Sequence, residues 1–554
     1  MFSFLKNGAH IFKKKQEDIL SAAFVITLSY VISKLLGLVR IRLLTAHFGS
    51  QQPLLASYFA ASTLPDSIFE VLIFGTIALA FIPVFSKYLA KDNQEKAWQI
   101  ASTLISLSFI IFLILAVIFF FFSKNFAPIL APGLIRSNPE TKIVIAHLLQ
   151  IIVFAQMFFV ISIFLTGILQ SFQHFLVPAL ASVFYNIGII LSIIFLVPVF
   201  GIYAPAIGMI FGALLHLLIQ LPLVQSLGFK FRPNLDLGNK DVREMLGLMW
   251  PRSITIGLTR LSEIINTALA SLAGAASIVA LNLAQILQLV PTTFFAASIS
   301  QAAFAFLSIE FNKEKGKEYK KLLIESLHQI LFLVLPATAI LAILRIPVVR
   351  LVFGAREFPW ETTVLTARVL MAFCVGISAQ AVNLLLIRGF HAARDSMTPL
   401  KISMATTLAN IAASLVIIFV LHHSIIWLAL SYSSANILAS ILLLYFLDKK
   451  IGGFDRRALL MPIFKMGTIS ILTAIALYVP MKLLDQLVFD TTRTINLILL
   501  TSIATAVGLA VYVLLSLALN INEAYVFWAF IKRVTTWPKK IFTPPSVESQ
   551  KQLP

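Results

Sequence analysis

Apolar residues in this chain come in long blocks rather than in the short alternations of a half-buried sheet. Fourteen blocks can span a bilayer at about 20 residues each. They lie near 19–46, 55–87, 98–122, 143–170, 176–199, 202–226, 243–272, 277–309, 322–344, 362–388, 399–421, 425–447, 464–484 and 494–519, separated by polar, proline or glycine breaks. The pattern predicts an all-α polytopic membrane protein. The long second and eighth blocks contain Pro65 and Pro291, either of which can break a helix.

Composition removes the soluble alternatives. Of 554 residues, 59% are hydrophobic and 12% charged, with a mean hydropathy of +0.93. Soluble chains carry about 45–50% apolar and about 25% charged residues. The net charge of +19 does not point to nucleic acid, because cytoplasmic loops of membrane proteins collect Lys and Arg. With the N-terminus inside, 29 basic residues fall on inside segments and eight on outside ones. Both termini are therefore expected in the cytoplasm, as a basic N-terminus (1–18) and a basic tail (520–554). Lys6 and Lys13 to Lys15 precede the first block, but no small-residue cleavage site follows, so a retained helix is expected. The one cysteine, Cys374, excludes an internal disulfide and a cysteine metal cluster.

A faint internal repeat organises the blocks. Pro65 followed by Ala78 to Phe81 and a basic loop recurs as Pro291, Ala303 to Phe306 and a second basic loop. Ser171, Phe172, Pro178 and Asn186 are echoed by Gly389, Phe390, Pro399 and Asn410. Both echoes span six helices, an even number, so the halves have the same topology. The expected domains are a six-helix lobe at 19–226, a second at 243–447 and a helix pair at 464–519.

Charges inside the blocks are the candidate chemistry, since each costs a few kcal/mol or more at the bilayer centre unless it meets a partner or a wet cavity. The cations are Lys34, Arg40 and Arg42 in the first block, Arg252 and Arg260 in the seventh and Arg368 in the tenth; the acids are Asp66, Glu70 and Glu263. Their balance of about +3 suits an anionic substrate such as a pyrophosphate. Arg42, Arg252 and Arg368 lie near block ends, where snorkelling is an alternative. Lys34 and Arg40 sit about 120° apart on a straight helix and share one cavity if its wall is broad or the helix bends at Gly37. Pro65, Asp66 and Ser67-x-x-Glu70 also read as a helix start with a capping box. Arg260 and Glu263, three residues apart, can neutralise each other. The nine histidines lack metal spacing. No nucleophile elbow, Walker loop, dinucleotide fingerprint or zinc pattern appears, so neither enzyme chemistry nor a cofactor is expected.

Several segments together resemble the MurJ (MviN) lipid II flippases of the MOP exporter superfamily. They are Ser33-Lys34-Leu35-Leu36-Gly37-Leu38-Val39-Arg40; Leu64-Pro65 with Gly75 and Phe81-Ile82-Pro83; Leu130-Ala131-Pro132-Gly133; Gly167 to Asn186; Trp250-Pro251-Arg252; and Ala393-Arg394-Asp395-Ser396-Met397-Thr398-Pro399. The likeness covers about residues 20 to 520. It implies two six-helix lobes around a cationic cavity, alternating access, and a C-terminal helix pair that helps form a groove for the lipid tail. The implied substrate is lipid II, the undecaprenyl-pyrophosphate-linked peptidoglycan precursor. No protein partner is implied.

By this resemblance Lys34 and Arg40 match two first-helix arginines and are candidate diphosphate contacts, with Arg42 and Arg260 as further substrate-binding candidates. Glu70, Glu263 and Asp66 are candidates for coupling or gating. The family's sodium-site acids align with Asn266 and, beside Asn410, with Ser414; an acid after the second arginine is Ile41 here, a second-helix arginine is Glu70, and an eighth-helix arginine is Ile286. With only neutral oxygens at those positions, sodium-independent transport that responds to membrane potential or pH is expected. The alternatives are a flippase for another polyprenyl-linked glycan, a multidrug exporter of the same superfamily, or a non-transporting scaffold for cell-wall enzymes.

Overall fold

A computed structural model describes residues 19–73, 81–236, 238–312, 316–354, 357–491 and 493–528. The basic N-terminus with Lys6 and Lys13 to Lys15, the tail beyond 528, Gly75, Ala78 to Ala80, Lys313, Lys315 and Arg356 lie outside them, as do the side chains of Trp250, Pro251 and Arg252. Every described element is helical.

In chain order the helices are α1 (Ile19–Phe48), α2 (Gln52–Ile73), α3 (Ile82–Leu89), α4 (Gln94–Leu130), α5 (Pro132–Ser137), α6 (Thr141–Ser171), α7 (Leu176–Phe200), α8 (Tyr203–Leu218), α9 (Leu221–Ser226) and α10 (Lys240–Leu272). They continue as α11 (Ala275–Pro291), a π-helical turn over Thr292–Ala296, α12 (Ala297–Asn312), α13 (Gly316–Ile343), α14 (Arg345–Phe353), α15 (Trp360–Ala392), α16 (Met397–Phe419), α17 (Ile426–Lys450), α18 (Arg456–Leu487) and α19 (Thr494–Ala518). The described residues of all fourteen apolar blocks lie mainly on helix. Eleven spans, rather than fourteen, are long and apolar enough among the described residues to cross a membrane. The other three blocks, on α1, α2 and α10, carry Lys34, Arg40, Arg42, Asp66, Glu70, Arg260 and Glu263.

The two prolines behave differently. Pro291 ends α11, and the π turn takes up the disturbed hydrogen-bond ladder before α12. Pro65 lies inside α2, which runs on to Ile73. The hydroxyls of Ser62 and Thr63 donate to the Phe59 carbonyl, and Ser67 donates to the Thr63 carbonyl. The expected capping box at Ser67 is therefore absent: its hydroxyl serves the preceding turn, and Glu70 is used elsewhere.

Two compact units divide the chain. The first comprises residues 1–287, 349–372 and 400–435, the second residues 288–348, 373–399 and 436–554. The core of the first is aromatic: Phe81 stacks on Phe85 at 5.1 Å and meets Phe164 edge-on at 5.6 Å, while Trp98 stacks on Phe172. This gives the Phe81-Ile82-Pro83 segment a packing reason. Within the same unit α7 and α8 approach at backbone distance, since a Cβ on Gly188 would lie 2.6 Å from Gly212 Cα and one on Gly208 would lie 2.6 Å from Ser192 Cβ. Gly208 and Gly212 are four residues apart, the small-residue spacing that lets membrane helices pack closely. Gly133 of the Leu130 to Gly133 segment is equally constrained: its amide donates to Ser271 Oγ at 3.0 Å, and a Cβ there would meet the Ser271 carbonyl. In the second unit α18 and α19 pack on α13 around buried Leu477, Ala504 and Ala339, and Tyr512 donates to the Phe332 carbonyl at 2.9 Å.

Candidate functional site

The first unit brings together most of the charges of the apolar blocks, Lys34 exposed and Arg40, Asp66, Glu70, Arg260 and Glu263 half-buried. On α1, Ser33 precedes Lys34, and Asn186 of α7 donates to the Ser33 hydroxyl at 3.1 Å and to its carbonyl at 3.3 Å. Ser33 in turn donates to the Ser182 carbonyl at 3.2 Å, so this stretch of α1 is docked on α7 by polar contacts. The helix runs unbroken through Gly37. Lys34 lies over the Tyr30 ring at 5.3 Å and within electrostatic reach of both Arg40 and Glu70. Arg40 lies within electrostatic reach of the Tyr185 phenol on α7, while its Nε is buried without a partner among the described residues.

Two acids enter from α2, one turn apart. Asp66 accepts a hydrogen bond from Gln156 of α6 at 2.7 Å and feels the charges of Arg40, Glu70 and Arg260. Glu70 accepts from the Arg260 guanidinium, which also donates to Glu263 one turn further along α10. Arg260 thus bridges an intrahelical and an interhelical carboxylate, with the three side chains 29%, 32% and 35% exposed. Ser253 of α10 donates to the Val71 carbonyl at 3.0 Å and pins the same pair of helices.

Six of the expected charged residues therefore share one electrostatic neighbourhood: Lys34, Arg40, Asp66, Glu70, Arg260 and Glu263. Its cations and acids are equal in number, rather than in the excess of about +3 that all intramembrane charges together suggest. Arg42 accounts for part of the difference, for it donates to the Leu351 carbonyl on α14, beside the bond from Thr45 to the Phe353 carbonyl. Arg368 is exposed on α15. Gln156, Tyr185 and Asn186, which position Asp66, Arg40 and Ser33, were not among the expected site residues. In the chain Gln156 and Tyr185 show only as polar residues within apolar blocks, and Asn186 also as the counterpart of Asn410 in the internal repeat.

The three aligned sodium-site positions lie on α10 and α16. Asn410 donates to Ser262 at 3.0 Å and accepts from Ser431 at 2.9 Å, which links α10, α16 and α17. Asn266 Oδ1 and Ser414 Oγ are buried without hydrogen-bond partners among the described residues. This donor set does not fit a sodium ion: it has no carboxylate to offset desolvation of the ion, and the Asn410 oxygen is already engaged. No group of three or more His, Cys, Asp or Glu side chains poised for a metal occurs among the described residues.

The chain as a whole is similar to several known proteins. The family model described as "Lipid II flippase MurJ" matches residues 44–500. A Buchnera aphidicola (subsp. Acyrthosiphon pisum) protein named "Probable lipid II flippase MurJ" is 30% identical over 420 residues, covering 75% of this chain and 82% of the relative. The "Lipid II flippase MurJ" of Burkholderia cenocepacia is 24% identical over 76% of this chain and 82% of its own. A solved structure titled "Lipid II flippase MurJ, inward closed conformation" superposes with a TM-score of 0.72 at 25% identity, covering 89% of this chain and 98% of that one. An inward-facing multidrug MATE transporter of the MOP superfamily shares the fold, with a TM-score of 0.61 at 14% identity, 78% of this chain and 98% of the other being covered.

Proposed function

The chain belongs to the MurJ lipid II flippase family, and from that premise we propose how its own residues carry the substrate. It moves lipid II across the bacterial inner membrane by alternating access, as a transporter that makes and breaks no covalent bond. Lys34 and Arg40 contact the diphosphate. The observation that carries this assignment is the buried, unpartnered Nε of Arg40, within electrostatic reach of Lys34, a donor with nothing among the described residues to meet it. A charge-assisted bond to phosphate satisfies it with planar, directional geometry.

Arg260 takes a second part. Held by Glu70 and Glu263, it is neutralised in this state. An entering diphosphate competes with the two carboxylates for it, and departure of the substrate restores the bridge. Binding and release thus exchange one charge pairing for another, which limits the cost of exposing a lone ion to a low-dielectric cavity. Asp66, tied to Gln156, offsets Arg40 and sets how firmly the anion is held. We further assign the lobes to 19–226 and 243–447, with a helix pair at 464–519 and both termini cytoplasmic.

The test is growth. This chain should restore cells depleted of their own lipid II flippase, while Arg40→Ala, which removes an ionic contact worth about 1.5–3 kcal/mol, should fail at equal membrane abundance. Rescue by the variant would show that the charges serve the fold alone. A multidrug-exporter reading fails if the chain rescues without conferring drug efflux.

A further inference from the structure

Beyond the charge cluster of the first unit, the second unit contains a cavity of about 920 Å³ between the beginning of α13, the beginning of α18 and the residues that follow α19. Its walls are basic. Lys317 and Lys321 line it from successive turns of α13, Arg457 and Lys465 from α18, and Lys320 reaches across to the Gly452 carbonyl at 2.9 Å. The basic segments around 317–321 and 449–457, which the charge distribution places on the cytoplasmic side, meet here.

Three acids also line the cavity, yet two are occupied. Asp455 caps α18 by accepting from the amides of Arg457 and Ala458 at 3.0 and 3.1 Å. Glu523 faces His328 Nδ1 at 3.6 Å, and the opposite ring nitrogen donates to the Leu459 carbonyl at 3.0 Å. Glu325 is left against five cations. Lys320 and Lys465 are held on the carbonyls of Gly452 and Leu519, whereas Lys317, Lys321 and the Arg457 guanidinium have neither a hydrogen-bond nor an ion-pair partner among the described residues. Three free cations converging on one concave space form an anion site of the size that takes a small ligand, about 300–1,000 Å³.

The apolar part of the wall indicates the kind of anion. Arg457, Met461 and Lys465 follow one another at four-residue intervals down one face of α18, and Ile324 lies one turn beyond Lys321 on α13. Met461 and Val526 are 52% and 58% exposed, and Phe464 beside them is 73% exposed. A soluble phosphate gains nothing from that surface. A glycerophospholipid uses both parts, its phosphate against the cations and its glycerol and first methylenes along Met461 and Val526.

We propose that this cavity binds the headgroup of an anionic membrane glycerophospholipid, holding α13, α18 and the segment after α19 together at the cytoplasmic face. The site is independent of the glycan lipid carried by the first unit.

The test is native mass spectrometry of the full-length protein, released from detergent after incubation with phosphatidylglycerol or phosphatidylcholine. Phosphatidylglycerol should be retained in preference to phosphatidylcholine. The triple variant Lys317→Gln, Lys321→Gln, Arg457→Gln should lose about tenfold or more of that retention, because each basic group near the surface contributes several-fold to anionic-lipid binding. The three side chains are exposed, so folding should survive; the charge-preserving variant Lys317→Arg, Lys321→Arg, Arg457→Lys guards the comparison and should retain the lipid. Equal phosphatidylglycerol retention by the glutamine variant would overturn the proposal. Displacement of the lipid by millimolar inorganic phosphate would also overturn it, by showing that the anion is soluble.

Discussion

Asn186 donates to both the hydroxyl and the carbonyl of Ser33, so a single amide on α7 fixes the position of α1 one residue before Lys34. It donates as well to the Ser182 carbonyl of its own helix at 3.1 Å and is 6% exposed. Replacing it by alanine leaves the Ser33 groups facing an apolar gap. Asn186→Ala should lower thermal stability by about 1–3 kcal/mol and impair rescue of flippase-depleted cells, although the amide carries no charge. An unchanged melting temperature in detergent together with full rescue would mean that α1 is positioned by packing alone.

Arg260 and Glu70 meet from helices 190 residues apart in sequence. Removing the arginine leaves two carboxylates facing each other without a cation, whereas removing both partners does not. Arg260→Gln should therefore destabilise the protein more than Arg260→Gln combined with Glu70→Gln. A double-mutant cycle on thermal unfolding should give a coupling of about 0.5–3 kcal/mol, toward the lower end because about a third of each side chain is exposed. Additive effects would contradict the bridge.

Asp395 explains the Ala393 to Pro399 segment. Its carboxylate caps α16 by accepting from the amides of Met397 and Thr398, and it also accepts from the Thr398 hydroxyl and from Lys450 at 2.9 Å. Slight burial pushes the carboxyl up, but the Lys450 and Thr398 hydrogen bonds outweigh this and hold it at about 2. The folded value lies below the unfolded one of about 3.9, so the contribution is present above pH of about 4 and is lost as pH falls toward about 2. Asp395→Asn should lower the melting temperature at pH 7, and the gap from the parent should close as pH falls through that window. A constant gap would assign the effect to the cap geometry alone.

The topology is open to direct labelling. Cysteines introduced at Lys317 and Gln486, in a Cys374→Ser background, should differ in intact cells. Only the second should react with an impermeant thiol reagent, as the excess of basic residues on inside segments requires. Equal labelling of both positions would contradict the fourteen-span arrangement.

Coupling should not require sodium. Asn266, Asn410 and Ser414 offer neutral oxygens, and the Asn410 oxygen is engaged by Ser431. Flipping in vesicles with sodium replaced by choline, at constant potential and pH, should continue at its original rate. Loss of activity in choline would establish that neutral ligands suffice for the ion.

Much of this protein is determined by local pattern. The described residues of the fourteen apolar blocks lie mainly on helices because, in lipid, every backbone polar group must be bonded within its own segment, and only a helix does this locally. The Arg260 and Glu263 pairing was legible for the same reason, since residues three apart share a helix face. Lys34 and Arg40 stood out because charges inside apolar blocks are costly and rarely idle. What tertiary structure alone decided is which distant groups meet. Nothing near Glu70 in the sequence names Arg260, and the Ser67-x-x-Glu70 spacing pointed instead to a helix start that Pro65 does not produce. Gln156, Tyr185 and Asn186 read as isolated polar residues until α6 and α7 bring them against Asp66, Arg40 and Ser33. Helix formation depends on neighbours within a few residues, whereas the pairing of charges depends on how helices pack, and that is set by close approaches such as Gly188 on Gly212: the spacing of Gly208 and Gly212 permits a close neighbour but does not say which helix it is.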